Sequence, residues 1–361
     1  MNYTEVMKTA SLVLECNEVP LIIGESGIGK TALISQMAAE NNWNLVTIDA
    51  NLLKEGEIGG LPIVKNDRTI YAMHYKLSQI NELSKKENKD IILFIDELNR
   101  CDHTVQQELM NLILNREING FSLPDKVKII AAMNPSNQYD NFEESDYQVV
   151  DMDPAQENRF VWIEMDSDIK EWLKWGINDG NIDYDILDFL GEFPSYLHTV
   201  SSTEHIKATP RSWERISKAY KIYKNNKENY SKNIFFNVVR GNVGVSIATD
   251  FINYISKPKK QLIRIENLFS YDTLPIYIKE DLEKESHSRL YILAKNAFNY
   301  AENSGKSKDI NLFSELLGIY PRDLRLGIMK EIRKESNEEF YNKLLDCEAF
   351  INSYFGIYIN I

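Results

Sequence analysis

The chain has 361 residues, 43% of them hydrophobic and 26% charged, which is ordinary for a globular protein of two or three domains. Its net charge of −13 disfavours nonspecific binding to nucleic acid or to anionic membranes, and no apolar run is long enough to span a bilayer. Because the sequence has no signal-peptide pattern and its three cysteines lie far apart, we expect a cytoplasmic protein without a disulfide framework, a zinc knuckle or a membrane partner.

A glycine-rich loop follows the first predicted strand. Apolar periodicity predicts a helix over residues 4–16, and the apolar run Pro20–Ile23 predicts a buried parallel strand. Residues 24–31 match G-x-x-x-x-G-K-[ST], and a helix is predicted over 31–39. Unpaired N–H groups and the dipole of a helix N-terminus attract phosphate at such a loop. The residues predicted to bind nucleotide are Gly24, Glu25, Ser26, Gly27, Ile28, Gly29, Lys30 and Thr31, with Lys30 on the β- and γ-phosphates and the Thr31 hydroxyl on Mg²⁺.

Two carboxylates end the strand predicted over residues 90–97. A second strand is predicted over 45–48, an irregular stretch over 51–75 and a helix over 76–83. The run 90–97 is apolar until Asp96 and Glu97, which mark the strand end where an open α/β sheet carries its ligand chemistry. The alternative is that both carboxylates only solvate the strand end, which is less favoured in a chain that also has a phosphate-binding loop.

The next segments continue the alternation of strand and helix. A helix with a capping box of Thr104 and Gln107 is predicted next, followed by a hairpin over residues 117–123. Strands are predicted over 127–133, ended by Asn134, and over 160–163. From residue 168 the pattern becomes helical, which predicts a boundary near residues 165–167. We therefore expect an α/β core over 1–166, a helical lid over 167–257 and a helical C-terminal segment over 258–361, whose role the sequence does not indicate.

The order of these motifs resembles that of AAA+ ATPases: the loop, the Asp–Glu strand end, Asn134, Arg159 before the last strand and Arg211 at the start of a later helix. Within that superfamily the chain is similar to the MoxR-like group. The motifs that carry this similarity are Asp96-Glu97-Leu98-Asn99-Arg100, Gly59-Gly60-Leu61-Pro62, Ala132-Met133-Asn134-Pro135, Ala155-Gln156-Glu157-Asn158-Arg159-Phe160 and Thr209-Pro210-Arg211-Ser212-Trp213-Glu214. The resemblance covers residues 1 to about 255 and implies a P-loop αβα core with a parallel sheet, followed by an all-α lid.

The resemblance also implies a role for each candidate site residue. Phosphoryl transfer needs charge neutralised on the γ-phosphate and a water held in line. Asp96 would hold Mg²⁺ through its waters, Glu97 would orient and deprotonate the attacking water, and Asn134 would act as a sensor of that water or the γ-phosphate. Arg159 resembles an arginine finger that reaches the neighbouring subunit's nucleotide, and Arg211 resembles a sensor arginine that contacts the γ-phosphate within its own subunit.

Each of these roles has a structural alternative. Asn134 could instead cap the turn before Pro135, and Arg159 and Arg211 could form surface salt bridges, which contribute little. Arg100 is open between a contact across subunits and a pairing with a nearby acid.

An arginine supplied from a neighbour makes hydrolysis depend on assembly, so the resemblance implies a ring, with a hexamer expected. The cofactors implied are ATP and Mg²⁺, and the partner implied is a protein client, often one with a von Willebrand factor A-type domain. Residues 51–75 and 117–123 fall where the MoxR-like group carries insertions that face the central pore. Two other functions stay open: a nucleotide-gated scaffold with little turnover, and a DNA-translocating ring of the restriction type. Intact Glu97 weighs against the scaffold, and the acidic charge weighs against the DNA motor.

Overall fold

The structure, a computed structural model, describes residues 1–136, 149–150, 152–199, 204–256 and 263–355. Nine strands lie in this part of the chain: β1 Pro20–Ile23, β2 Asn44–Asp49, β3 Leu61–Lys65, β4 Arg68–Ala72, β5 Ile91–Asp96, β6 Glu117–Ile118, β7 Phe121–Ser122, β8 Val127–Met133 and β9 Val161–Glu164. The strands predicted over 45–48, 90–97, 127–133 and 160–163 and the strand Pro20–Ile23 are confirmed, with ends that differ by one residue or less.

Helices fill most of the remaining described chain. The first five are α1 Tyr3–Glu15, α2 Lys30–Glu40, α3 Tyr75–Lys86, α4 His103–Asn115 and α5 Pro154–Glu157. They are followed by α6 Ile169–Asn178, α7 Tyr184–Glu192, α8 Pro210–Asn225, α9 Lys232–Val243, α10 Val245–Ser256, α11 Ile265–Leu268, α12 Ile276–Leu282, α13 His287–Ser304, α14 Ser307–Ile319, α15 Arg322–Glu335, α16 Glu338–Leu345 and α17 Glu348–Phe355. Within the described ranges, no helix is both long enough and apolar enough to cross a bilayer.

Five strands form one parallel sheet in the order β2-β5-β8-β1-β9. The chain leaves β1 for β2 at one edge, and β9 is added on the other side of β1, so β1 lies where the strand order reverses. In open α/β sheets, ligands bind beyond the carboxyl ends of the strands at such a switch point. The candidate ligand contacts are therefore the residues that follow β1, its neighbour β8, and β5 on the far side of β8.

Alternate residues of the strands are buried in two separate clusters, one on each face of the sheet. On one face Leu93 and Ile95 pack in a cluster with residues of α3 and α4. On the other face Ile92 and Phe94 pack in a cluster with residues of α1 and α2. Burial on both faces explains why the strands read as continuous apolar runs. The predicted α/β fold class, an αβα core with a parallel sheet followed by a helical remainder, is confirmed.

The chain divides into two compact units. The first comprises Met1–Asp168 and His198–Ser212, and the second comprises Ile169–Leu197 and the chain from Trp213 onward. The second unit is helical and contains its own core, which includes Phe298, Phe313 and Leu316. The division predicted at residues 166 and 257 stays a prediction, and residues 257–258 lie outside the described ranges.

Residues 51–75 are not irregular as predicted, because they contain the antiparallel hairpin β3–β4. Its two-residue turn, Asn66-Asp67, has φ of 52° and 54°, the conformation of a type I′ turn. Both flanking segments are β-rich and separated by two turn-forming residues, which is a hairpin pattern that the sequence reading missed. The second hairpin, β6–β7, was predicted and is confirmed.

The predicted capping box at the start of α4 is wrong. The helix begins at His103, and Asp102 in an extended conformation is its N-cap, without a side-chain capping hydrogen bond. Thr104 therefore already lies within the first turn, where its hydroxyl cannot serve as the cap acceptor.

Candidate nucleotide-binding site

The candidate site is built from residues of the first unit, beginning with the loop between β1 and α2. Gly27 and Gly29 have φ of 82° and 110°, a left-handed conformation that glycine adopts without steric cost. A Cβ on Gly24 would lie 2.6 Å from the carbonyl oxygen of Met165, so the main chain passes too closely for a side chain there. Backbone conformation and close packing therefore explain the glycines at these positions of the motif. The loop leads directly into α2, whose first residue is Lys30.

Lys30 is buried and makes three hydrogen bonds. Its Nζ donates to the carbonyl oxygens of Gly24 at 2.6 Å and Glu25 at 3.1 Å, and to Oδ1 of Asn134 at 3.1 Å. An ammonium group has three donors, so these acceptors match its capacity. The lysine therefore links the loop after β1 to the residue that follows β8.

Burial and neighbouring acids have opposite effects on the pKa of Lys30. Burial lowers its pKa from 10.5 to about 8, because removing an ammonium from water disfavours the charged form. The negative charges of Asp96, Glu25 and Glu97 act in the opposite direction. At neutral pH the ammonium stays protonated and can attract phosphate.

Thr31 and Asp96 meet at the carboxyl end of β5. The Thr31 hydroxyl donates to Oδ2 of Asp96 at 2.9 Å, which brings two oxygen ligands together near the loop. Mg²⁺ prefers oxygen ligands, keeps several waters and uses few protein groups together with substrate phosphates. No cluster of three or more His, Cys, Asp or Glu side chains suited to a metal occurs among the described residues. This donor set fits Mg²⁺ held jointly with a nucleotide.

Glu97 has an unusual backbone conformation. Its φ is 54°, a left-handed value that costs energy for a non-glycine residue, and its N–H donates to Oδ1 of Asp96 at 3.0 Å. Its carboxylate lies 3.5 Å from the guanidinium of Arg100, and both side chains are partly exposed. Of the two readings of Arg100, pairing with a nearby acid is therefore observed within the chain.

Asn134 is buried directly after β8, and a second buried asparagine holds its main chain. The Asn99 side chain donates to the Asn134 carbonyl oxygen at 2.8 Å and accepts from the Asn134 N–H at 3.3 Å. Asn99 lies within the motif Asp96–Arg100, in which the sequence indicates no role for it. Because Asn99 bonds to the main chain of Asn134, no side-chain pattern predicts the contact. Its position two residues after Glu97 is the only signal in the sequence.

The two predicted arginines lie in different positions. Arg211 is beside the loop: its N–H donates to the carbonyl oxygen of Gly27 at 3.3 Å, and its charge, after burial, is one factor that lowers the pKa of Lys30. Arg159 is exposed after α5, and no hydrogen bond or ion pair of its side chain occurs within the described ranges. The structure thus brings together Lys30, Thr31, Asp96, Glu97, Asn134 and Arg211. Arg159 instead precedes β9, at the amino ends of the strands.

Residues 20–146 match the family described as "ATPase family associated with various cellular activities (AAA)". Similar curated proteins include "Putative chaperone BssE" of Thauera aromatica, 26% identical over 154 residues, which are 40% of this chain and 49% of that protein. Another is the 26S proteasome regulatory subunit 6A of Schizosaccharomyces pombe, 32% identical over 126 residues, which are 32% of this chain and 25% of that protein. The chain thus spans about half of the first relative and a quarter of the second.

Solved structures with partial similarity include the Thermotoga maritima RuvB Holliday junction branch migration motor. It is 17% identical, with a TM-score of 0.39, over 78% of this chain and 74% of that chain. Another is NtrX from Brucella abortus, 13% identical, with a TM-score of 0.33, over 92% of this chain and 67% of that chain. The family match includes the phosphate-binding loop, Asp96, Glu97 and Asn134, so this part of the chain is similar to an AAA ATPase domain in both sequence and loop geometry.

Proposed function

We propose that this protein is a MoxR-like AAA+ ATPase that hydrolyses Mg·ATP in an oligomeric ring and uses the energy to remodel or activate a partner protein. The observation that carries the proposal is the convergence of three strand ends: Lys30 contacts Asn134 at 3.1 Å and Thr31 contacts Asp96 at 2.9 Å. These contacts join the ends of β1, β5 and β8 around one phosphate-binding loop.

Each residue has a task that its position supports. Lys30 and the N–H groups of the loop bind phosphate oxygens, and Thr31 and Asp96 hold Mg²⁺, which neutralises charge on the phosphates. Glu97, at the same strand end, orients and deprotonates the attacking water, and the amide of Asn134 senses the γ-phosphate or that water. Arg211 contacts the γ-phosphate from its place beside Gly27.

Assembly into a ring is supported by the exposure of Arg159. Phosphoryl transfer gains from an additional guanidinium, and one supplied by a neighbour couples turnover to assembly. Arg159 makes no side-chain hydrogen bond or ion pair to any described residue of its own chain. A head-to-tail ring, proposed as a hexamer, gives this arginine a nucleotide to reach.

A protein client is supported by the exposed hairpin β3–β4. Its apolar side chains, among them Leu61, Val64 and Tyr71, are exposed in this chain, and large exposed apolar patches mark interaction surfaces. The relative from Thauera aromatica is named as a chaperone. By resemblance to the MoxR-like group, we propose a client with a von Willebrand factor A-type domain, and a cytoplasmic location stays a prediction from the sequence.

Phosphate release from ATP tests the proposal directly. The wild-type protein is expected to release phosphate in the presence of Mg²⁺, and Glu97→Gln is expected to lose turnover by at least about a hundredfold while it still binds ATP. Asp67→Asn, at the turn of the exposed hairpin, is a matched control that also removes one carboxylate and is expected to keep turnover. Tight ATP binding without phosphate release by the wild-type protein would instead identify a nucleotide-gated scaffold.

A further inference from the structure

Asn99 lies beside the end of β8, where β5 would pair with β8 if β5 continued. Strands β5 and β8 pair in register as far as Ile95 and Ala131. Beyond that point the chain after β5 turns away through Glu97, whose φ is 54°, and Leu98 donates to the carbonyl oxygen of Ala132 at 3.0 Å. Among the described residues, no strand pairs with the main-chain groups of Asn134 on the side of β8 that faces β5.

The Asn99 side chain supplies the missing partner. Its amide satisfies both main-chain groups of Asn134, with hydrogen bonds of 2.8 and 3.3 Å, and only 1% of Asn99 is exposed. A primary amide has a hydrogen-bond donor and an acceptor, as a peptide group does. It can therefore replace the hydrogen bonds that a neighbouring strand would make to one residue. The carbonyl oxygen of Asn99 in turn accepts from the N–H of Val150 at 2.8 Å.

The opposite side of Asn134 faces the phosphate-binding loop. Its side-chain Oδ1 accepts from Nζ of Lys30 at 3.1 Å, and only 3% of Asn134 is exposed. A continuous chain of hydrogen bonds therefore runs from Asn99 through Asn134 to Lys30. Displacement of a catalytic amide by about 1 Å costs up to about a hundredfold in rate.

We propose that Asn99 is a positioning residue for ATP hydrolysis, which fixes the Asn134 amide against Lys30 and the γ-phosphate by replacing a strand with its side chain. The inference rests on the proposed function, because the sensor role of Asn134 belongs to that proposal. Asn99 acts through Asn134 and touches no substrate. Removal of the Asn99 side chain therefore leaves Asn134 less precisely positioned. The loop groups that bind phosphate keep their own hydrogen bonds.

Two variants test this inference. Asn99→Ala removes both hydrogen bonds to Asn134, and Asn99→Asp keeps the size and the acceptor but removes the donor, so it serves if the alanine variant does not fold. Both are expected to lower kcat about ten- to hundredfold. Affinity for a fluorescent ATP analogue with Mg²⁺ is expected to stay within about threefold, since Lys30 keeps its loop contacts.

A double-mutant cycle separates positioning from general stability. If Asn99 acts through Asn134, Asn99→Ala has little further effect on kcat in an Asn134→Ala background. The matched control is Arg116→Ala, because Arg116 anchors the other end of the same strand through the carbonyl oxygens of Pro124 and Val127 at 3.1 and 2.7 Å. This control is expected to lower thermal stability without changing kcat at a temperature where the fold persists.

Hydrogen exchange of the nucleotide-free protein gives a readout that needs no turnover. Peptides covering residues 131–136 are expected to exchange faster in Asn99→Ala than in wild type or Arg116→Ala, because the N–H of Asn134 loses its acceptor. Wild-type kcat in both Asn99 variants, or an equal loss of kcat with and without Asn134, overturns the inference. A wild-type protein that releases no phosphate overturns the proposed function instead, and exchange at Asn134 then reports on the hydrogen bonds alone.

Discussion

Lys30 couples the candidate site to the stability of the fold. Its pKa is about 8 in the folded protein, because burial disfavours the ammonium, whereas the exposed side chain has a pKa of 10.5. Between these values the unfolded chain binds more protons than the folded one, so stability rises with pH across this window. Well below pH 8, Lys30 is protonated in both states and its contribution to stability is constant.

This linkage predicts a pH-dependent difference between wild type and Lys30→Met. As pH rises from about 8 to about 10, the wild-type free energy of unfolding is expected to gain about 2 kcal/mol relative to the variant. Urea unfolding at several pH values measures it, and the comparison removes the titration of all other groups. A difference that is flat with pH, or that falls, contradicts the assigned burial of the ammonium.

At the scale of single residues, the sequence predicts the groups that belong to contiguous motifs. Gly24 to Thr31 form one local loop, and Asp96 and Glu97 lie at the end of one strand. The sequence pattern alone therefore predicts them as candidate site residues. Asn99 was not assigned a role because its partner is the main chain of Asn134, which only the pairing of β5 with β8 brings near. The left-handed φ of Glu97 likewise follows from the way the chain leaves the sheet.

At the scale of elements, the hairpin β3–β4 contrasts with the sheet. Ile70 in the hairpin is 41% exposed, whereas Ile95 in β5, an interior strand of the sheet, is fully buried. Ile95→Ala is expected to cost about 2–5 kcal/mol of stability, and Ile70→Ala less than about 1 kcal/mol. Urea unfolding of the two variants at low protein concentration provides the check. Equal costs would mean that the hairpin packs against the fold.

The base of the hairpin is held to the neighbouring elements. The Asn119 side chain, in the turn between β6 and β7, donates to the carbonyl oxygen of Gly59 at 2.9 Å. Glu108 on α4 accepts from the N–H of Gly56 at 3.0 Å. The two hairpins and α4 are thus connected by side-chain hydrogen bonds.

Asn119→Gly tests this connection without adding backbone strain, because Asn119 has a φ of 44° and glycine tolerates positive φ. Amide exchange in peptides covering residues 56–62 is expected to become faster than in wild type, because the base of the hairpin loses its tether. Asn111→Ala, exposed on α4, is the control and is expected to leave these peptides unchanged. Unchanged exchange in Asn119→Gly would show that the contact does not hold the hairpin.

Element prediction succeeded where hydrophobic pattern and burial agree. The strands of the parallel sheet are apolar runs buried on both faces, and their positions were predicted. The hairpin β3–β4 was missed because the residues of both its strands are exposed. Without a core to pack against, the strands do not show the alternation of apolar and polar residues that predicts a strand. The start of α4 was misplaced because Asp102, and not Thr104, is the residue with extended conformation.

At the scale of the whole molecule, the first unit contains most residues of the proposed ATPase site. Lys30, Thr31, Asp96, Glu97, Asn134 and Arg211 lie together there, while Arg159 is exposed and apart. This separation follows directly if each complete site is built from two subunits. The role of Arg159 stays a prediction from the sequence, because a single chain contains no second subunit that could complete the proposed site.

A subunit-mixing experiment tests this shared site most directly. Glu97→Gln and Arg159→Ala are each expected to lack turnover alone, because one lacks the base and the other lacks the arginine. Mixed in equal amounts in Mg·ATP, they are expected to recover about a quarter of wild-type turnover, since random head-to-tail assembly pairs an intact pocket with an intact arginine at that fraction of interfaces. A mixture no more active than its separate components, or wild-type turnover by Arg159→Ala alone, contradicts the account.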